Sequence, residues 1–449
     1  MRILMVTYHF PPDGAIGAVR PYQFARLLPQ YGIEPWILTV RPEYASFPDP
    51  TYQLDGVPEH RVVRTEVLPS RRDKYLRMTY WLRRLLKGAR RKSTLVIGEA
   101  GTTGGVVSPS PSLWQCFVEW LSFPDWYAGW YHPAVCAANK LLKQISFAAV
   151  WSTSFPRTAQ IIGYEISKRY GLPWIADWRD PWLHYIEGWG DPSCPYIRRR
   201  YEQMLVRHLE QVSLVTMNSE KLCEFWQARM PEYAAKFCPL PNGIPEELWS
   251  QSIPLVKTER FVISYLGSIY QRLSPSVVFR GLKLWMENKP EVRNHVELRF
   301  YGDMSRDNVL LQAENDGVAD IVRVENRVNR GEIVELIKRS TCLLLLAQGL
   351  ILKIPGKTYE YLISNKPIIA VAEPDSATGM LLRGMPGCYV VANPEDVAKA
   401  VNEVWQAYRA HGMLDTPRRK YLDAYRYSNL ARDLSNLLRQ LLSGEDGGV

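Results

Sequence analysis

A chain of 449 residues exceeds one ordinary hydrophobic core, so two domains of ~200 residues each are expected. An apolar content of 46% with 22% charged residues is that of a soluble globular protein, and seven cysteines without a CxxC exclude a zinc ribbon or a disulfide framework. The net charge of +9 admits nucleic acid, an anionic membrane or a phosphorylated ligand as partner.

The N-terminal "MRILMVTYHFPPDG" is apolar only from Ile3 to Val6, which is strand length and not a signal peptide. The longest apolar run, Cys342–Ala347, is far below the ~20 residues a membrane span needs. The expectation is a cytoplasmic protein, soluble or peripheral, with reduced thiols.

In chain order, Ile3–Thr7 reads as a strand, Gly14–Gly17 as a loop, Val19–Gln30 as a helix and Trp36–Val40 as a second strand. Arg71–Lys92 carries ten basic residues and one acid. Drawn as a helix, it sets Tyr75, Met78, Leu82, Leu85, Leu86 and Ala89 against Arg77, Arg84, Lys87 and Arg91. That amphipathic pattern suits an anionic membrane surface at Arg71–Lys92. A continuous apolar stripe has no use on nucleic acid, so no nucleic-acid partner is expected. The plain alternative is a helix packed on its own domain with a solvated basic face.

Phe147–Ser152 and Pro173–Ala176 read as strands around the helix Thr158–Tyr170, and Leu214–Met217 as a strand capped by Asn218-Ser219. "PNGI", Pro241–Ile244, and the polar stretch to Arg260 look like a hinge. The alternation then restarts with strands at Val262–Leu266, Val296–Tyr301, Ile321–Val324 and Cys342–Leu346, and helices at Pro275–Glu287 and Arg330–Arg339. "KIPGKTYEYLISNKPIIAV", Lys353–Val371, adds a short helix and a buried strand, and the tail from about Pro417 to Leu442 is helical. Strands alternating with helices imply parallel sheets covered on both faces. The fold class is α/β, with two doubly wound Rossmann-like domains facing a cleft, at 1–245 and 246–416, and a helical tail at 417–449 that can return to the first domain.

Five places carry candidate chemistry. Gly14 and Gly17 in the first βα loop can let backbone N–H groups approach an anion; the alternative is a flexible loop. "WIADWRDPW" brings Asp177, Arg179 and Asp180 to a strand end, where carboxylates orient or deprotonate a hydroxyl. An Asp–Arg ion pair fixing the loop explains the same residues. In "YLGSIYQRLSP", Gly267 and Ser268 can offer N–H groups to phosphate, with Arg272 as counter-charge; an ordinary turn is the alternative. Lys357 and Glu360 fall in the first turn of a short helix, either as a surface ion pair or holding a ligand. In "EPDSATGMLL", the N–H groups of Ser376, Ala377 and Thr378 can face an anion, unless the run is a plain helix cap. Histidines share no ligand spacing, and no DxD, HExxH, GxSxG or Walker motif appears, so neither a metal nor a cofactor is expected.

In combination these segments resemble the retaining glycosyltransferases of family 4, which have the two-domain GT-B fold, and among them the bacterial members that build surface polysaccharides. The likeness is carried by "ILMVTYHFPPDGAIGAVRPYQFARLLPQYGIEPWILT", "FPDWYAGWYHPA", "STSFPRTAQIIGYEISKRYGLPWIADWRDPW" and "KTYEYLISNKPIIAV", with "PNGI" and "YLGSIY" in the expected order. The resemblance implies a nucleotide-sugar donor on the second domain, with Glu360 on the ribose hydroxyls, Arg272 facing the diphosphate and Ser376–Thr378 at the helix start beside the donor. Base contacts would come from Glu325–Val328, Arg327 included. A glycan or lipid-linked acceptor would enter near Gly14–Gly17 and Asp177–Asp180. The chain departs from the family pattern where Arg179 replaces a histidine before Asp180, and where Leu352 replaces a glutamate eight residues before Glu360. Lys353 or Lys357 can supply positive charge near the leaving diphosphate instead. Two rival readings are a nucleotide-sugar epimerase on the same scaffold and a catalytically degenerate protein that binds a membrane or partner.

Overall fold

The computed structural model describes residues 1–86, 111–180, 182, 192–250, 256–269, 273–302, 304–326, 328–412 and 414–443. The first sheet comprises β1 (Arg2–Val6), β2 (Glu34–Val40), β3 (Val62–Thr65), β4 (Ala149–Ser154), β5 (Trp174–Trp178), β6 (Leu214–Met217) and β7 (Phe237–Pro239). The second comprises β8 (Phe261–Leu266), β9 (Val296–Tyr301), β10 (Val322–Glu325), β11 (Cys342–Leu346), β12 (Ile368–Val371) and β13 (Cys388–Val391). Their orders are β3-β2-β1-β4-β5-β6-β7 and β10-β9-β8-β11-β12-β13. Every strand pairing within them is parallel. The chain reverses its direction of travel beside β1 in the first sheet and beside β8 in the second. Loops leaving neighbouring strands part at such a point, which opens a crevice at the strand C-termini.

The first half carries helices α1 (Val19–Leu27), α2 (Arg71–Leu86), α3 (Leu113–Leu121), α4 (Tyr131–Leu142), α5 (Arg157–Tyr170), α6 (Pro195–Gln211) and α7 (Glu220–Arg229). Next come α8 (Glu246–Ser250), α9 (Ser276–Asn288), α10 (Arg306–Asn315), α11 (Arg330–Lys338), α12 (Lys357–Ile363), α13 (Ala377–Leu382) and α14 (Pro394–His411). The tail forms α15 (Arg419–Leu422) and α16 (Tyr427–Ser443).

Two-residue periodicity divides the core. On β1, Leu4 and Val6 face a layer that includes Ala134, Ala138 and Ile162. Ile3 and Met5 face the opposite layer, where Phe24 and Leu28 meet Leu430, Leu434 and Leu438 of α16. The tail therefore returns to the first domain, and the Tyr31 hydroxyl donates to the Ser428 carbonyl at 2.9 Å.

The first helix is shorter than its periodicity suggests. Pro29 has no N–H to continue the ladder, so α1 gives way to a 3-10 turn at Leu28–Tyr31 that ends on Gly32 at φ 72°. Conversely, β5 runs to Trp178, beyond the expected end at Ala176, because Asp177 and Trp178 are both buried.

The two connections between the domains lie side by side. Ile244 donates its N–H to the Tyr425 carbonyl at 2.7 Å and accepts from Tyr427 at 3.3 Å. A Cβ on Gly243 would stand 2.5 Å from Leu430 Cδ1 and 2.6 Å from the Tyr425 oxygen, so only glycine permits this approach.

Candidate active site

The strand ends of the two sheets meet across the crevice. At the end of β5 the three charged residues of the "DWRD" run have separate environments. Asp177 lies inside the strand and is fully buried, which corrects its expected place on the loop. Its carboxylate accepts from Arg20 Nη2 at 2.8 Å, Arg20 Nε at 3.0 Å, Thr153 at 2.7 Å and Thr216 at 2.7 Å. Arg20 also donates to the carbonyls of Pro241 at 2.6 Å and Leu240 at 2.8 Å. Burial works against the Arg20 charge, but Asp177 outweighs it and holds the guanidinium above its ordinary pKa. This is an ion pair locking β5 to α1 and to the chain leaving β7; its arginine is Arg20 and not Arg179.

Arg179 spends its donors on backbone carbonyls: Ser154 at 2.5 Å, Gly17 at 2.9 Å and Phe155 at 3.2 Å. Burial lowers its pKa, opposed by the pull of Asp177 and Asp180. It thereby fastens the Gly14–Gly17 loop to the end of β4. Asp180 faces the crevice, and its Oδ1 meets Lys353 Nζ of the second domain at 2.9 Å.

The first βα loop is held from within. Gly14 donates its N–H to the Phe47 carbonyl at 2.8 Å, so that N–H is not offered to an anion. His9 Nδ1 lies 2.7 Å from Asp13 Oδ2. Asp13 also accepts the N–H groups of Ala15 at 3.0 Å and Phe47 at 3.1 Å. Burial pushes the Asp13 carboxyl up, yet His9 and these N–H groups offset it, and its pKa sits below the ordinary range. With Nδ1 fixed by a carboxylate, the other ring nitrogen is the basic one, an arrangement suited to accepting a proton from a hydroxyl. A Cβ on Gly17 would lie 3.0 Å from His9 and 3.2 Å from Arg179, which places both side chains at one end of the crevice. Sequence reasoning missed His9, Asp13 and Arg20. The H-x3-D spacing of "HFPPD" was the available signal for the first two.

On the second domain, Gly267 ends β8 at φ 138°, outside the range of ordinary side chains. Its N–H donates to the Tyr301 carbonyl at 2.7 Å, so of the expected pair only the Ser268 N–H is left to face a phosphate. Lys357 extends under Gly267, with Nζ 3.9 Å from the centroid of the Tyr265 ring. Burial lowers its pKa to about 7, against the pull of Glu360. Glu360 is buried one turn along α12.

Ser376 caps α13, its Oγ accepting from the Gly379 N–H at 3.0 Å. The N–H groups of Ser376 and Ala377 already donate to the carbonyls of Glu373 at 3.0 Å and Ile351 at 2.8 Å. The Thr378 hydroxyl donates to the Lys353 carbonyl at 3.1 Å. This helix start therefore braces the 351–353 loop, and of the three expected N–H groups those of Ser376 and Ala377 are not offered to an anion. Arg272 and Arg327 lie outside the described residues.

Glu360 also lines a cavity of about 650 Å³ between the domains, walled by Tyr22, Gln23 and Arg26 of α1 and by α11 from Gly331 to Lys338. Its size falls within the ~300–1,000 Å³ of small-molecule sites. Across the crevice, Ser219 Oγ donates to the Leu352 carbonyl at 2.6 Å and Lys221 reaches the Asp375 carbonyl. The Leu352 side chain joins the core layer of the first domain, which also holds Leu222 and Trp226.

Two parallel sheets with their strand ends facing across a ligand-sized cleft define the GT-B class of fold. The whole chain superposes on solved structures of that class. Sucrose-phosphate synthase from Thermosynechococcus elongatus matches with TM-score 0.59 and 12% identity over 99% of this chain and 100% of that one. HepE from Anabaena, solved in complex with UDP and glucose, matches with TM-score 0.58 and 12% identity over 98% and 100%. The N-terminal domain of Candida albicans trehalose-6-phosphate phosphatase matches with TM-score 0.61 and 14% identity over 99% and 97%. Residues 260–407, from β8 into α14, match the family model of glycosyl transferases group 1. No curated protein sequence matches the chain.

Proposed function

We propose that the protein transfers a sugar from a nucleotide-sugar donor to a saccharide or lipid-linked acceptor, with retention of configuration, in the synthesis of a bacterial surface glycan. The observation that carries this reading is the grouping of Lys357, Gly267 and Glu360 where the second sheet reverses direction. A buried carboxylate in the wall of a 650 Å³ cavity is suited to paired ribose hydroxyls, and a partly buried ammonium one turn away is suited to a diphosphate. The ammonium gains most when charge develops on the leaving group, which is how such a site lowers a barrier. The acceptor would approach from β1 and β5, where Asp180 and His9 are the polar groups at the crevice.

The test is a thermal-shift screen with UDP, GDP and ADP, followed by turnover of the matching nucleotide sugars. One diphosphate is expected to raise Tm, and Glu360→Ala to weaken its binding by ~1–3 kcal/mol, the cost of leaving hydroxyls unpaired. No shift with any of them would remove the donor assignment. NMR of the product's anomeric centre decides retention.

A further inference from the structure

Among the described residues, the helix pair α2–α3 leaves several aromatic side chains uncovered. Tyr75 of α2 packs edge-on against Phe117 of α3, 5.3 Å between ring centroids, so part of the expected apolar stripe is spent between the two helices. Met78 of that stripe is exposed at 52%, as are Trp81 at 61%, Tyr80 at 68%, Trp114 at 58% and Leu113 at 90%; the side chains of Leu82, Leu85, Leu86 and Ala89 lie outside the described residues. Monomeric proteins rarely expose such a group without a use for it.

Charge identifies the occupant. Arg71 lies 5.2 Å from the ring centroid of Trp120 and Arg72 lies 4.5 Å from that of Trp126. Two acids, Asp73 and Glu119, stand against the four basic residues Arg71, Arg72, Lys74 and Arg77. Asp73 accepts from the Ser70 N–H at 2.8 Å at the start of α2, and Glu119 accepts from the N–H groups of Ser193 at 2.8 Å and Cys194 at 2.9 Å before α6. The surface therefore presents tryptophans with arginines and a net positive charge. Indole rings beside guanidinium groups match the headgroup layer of an anionic bilayer, with its apolar interior and negative surface.

We infer that the α2–α3 face docks on an anionic lipid bilayer, with Trp81, Leu113 and Trp114 entering the headgroup region. The face continues along the chain to Trp126 and Tyr127, and Tyr127 packs against Tyr8 at 4.4 Å between centroids, at the end of β1. Docking there brings the acceptor side of the cleft to the lipid surface. The inference concerns this face and not the donor site, so it stands or falls apart from sugar transfer.

The experiment is flotation of the full chain with vesicles of phosphatidylcholine alone or mixed with phosphatidylglycerol, at ~0.1 and ~0.5 M salt. Binding is expected only with phosphatidylglycerol, weaker at high salt, and accompanied by a blue shift of tryptophan emission. Arg71→Gln and Arg72→Gln should each weaken it about fivefold. Leu113→Asp/Trp114→Asp should abolish it, with Tm and nucleotide-induced shifts unchanged to show that the fold persists. Absence of binding to phosphatidylglycerol vesicles would overturn the inference, as would equal binding by the double aspartate variant. So would a dimer that this variant dissociates, since the face would then belong to a second copy.

Discussion

At the residue scale, Lys357 carries the most specific chemistry. Its ordinary pKa of 10.5 is lowered to about 7 by burial, so near neutrality the free protein holds a mixture of amine and ammonium. The unfolded chain takes up this proton below pH ~10.5, and the folded protein does so only below ~7. Stability of the unliganded protein therefore falls as pH falls across that window. A diphosphate rewards the ammonium alone. Affinity for the nucleotide sugar is expected to be highest below pH ~7 and to fall by up to tenfold per unit above it. Calorimetry from pH ~6 to ~9 should show proton uptake on binding, and Lys357→Met should flatten the slope while leaving residual affinity from Glu360. A flat wild-type profile would place Lys357 away from the phosphates.

At the element scale, the buried pair of Asp177 and Arg20 joins α1, β4, β5 and β6 with the chain leaving β7. Asp177→Ala leaves a guanidinium buried without its counter-charge, for an expected loss of ~3–5 kcal/mol in urea unfolding. Full stability with lost turnover would instead make Asp177 a catalytic carboxylate. Ten of the thirteen strands were legible in the sequence because each is a short apolar run bounded by turn residues; β3, β7 and β13, of only three or four residues each, were not. The partner of Asp177 was not, since Arg20 stands 157 positions away. A strand end beside a carboxylate looks like a site whether the carboxylate turns outward or inward. Lys357 and Glu360 were legible because three-residue spacing in a helix brings both onto one face. The N–H groups of Ser376 and Ala377 are taken by neighbouring carbonyls, which the sequence could not show because N–H groups at a helix start look the same whether a ligand or a neighbouring loop takes them.

At the scale of the whole molecule, the loop before α12 is one of the places where the two domains meet. Asp180 and Lys353 form a partly exposed ion pair across the crevice, which contributes only ~0–1 kcal/mol. Leu352 contributes more, because its side chain is buried in the first domain's core layer while its backbone belongs to the second. An apolar residue fits there because it seats one domain on the other; a carboxylate would have to be desolvated in that layer or pull the loop away. Leu352→Glu is thus expected to open the molecule. Small-angle scattering should show a larger radius of gyration than wild type, and turnover should fall more than nucleotide binding, since the acceptor side would swing from the donor. Lys353→Ala should shift the same equilibrium by no more than about fivefold. An unchanged radius of gyration with equal or faster turnover in Leu352→Glu would mean that position 352 faces the donor, and that the seating of the two domains rests on other contacts.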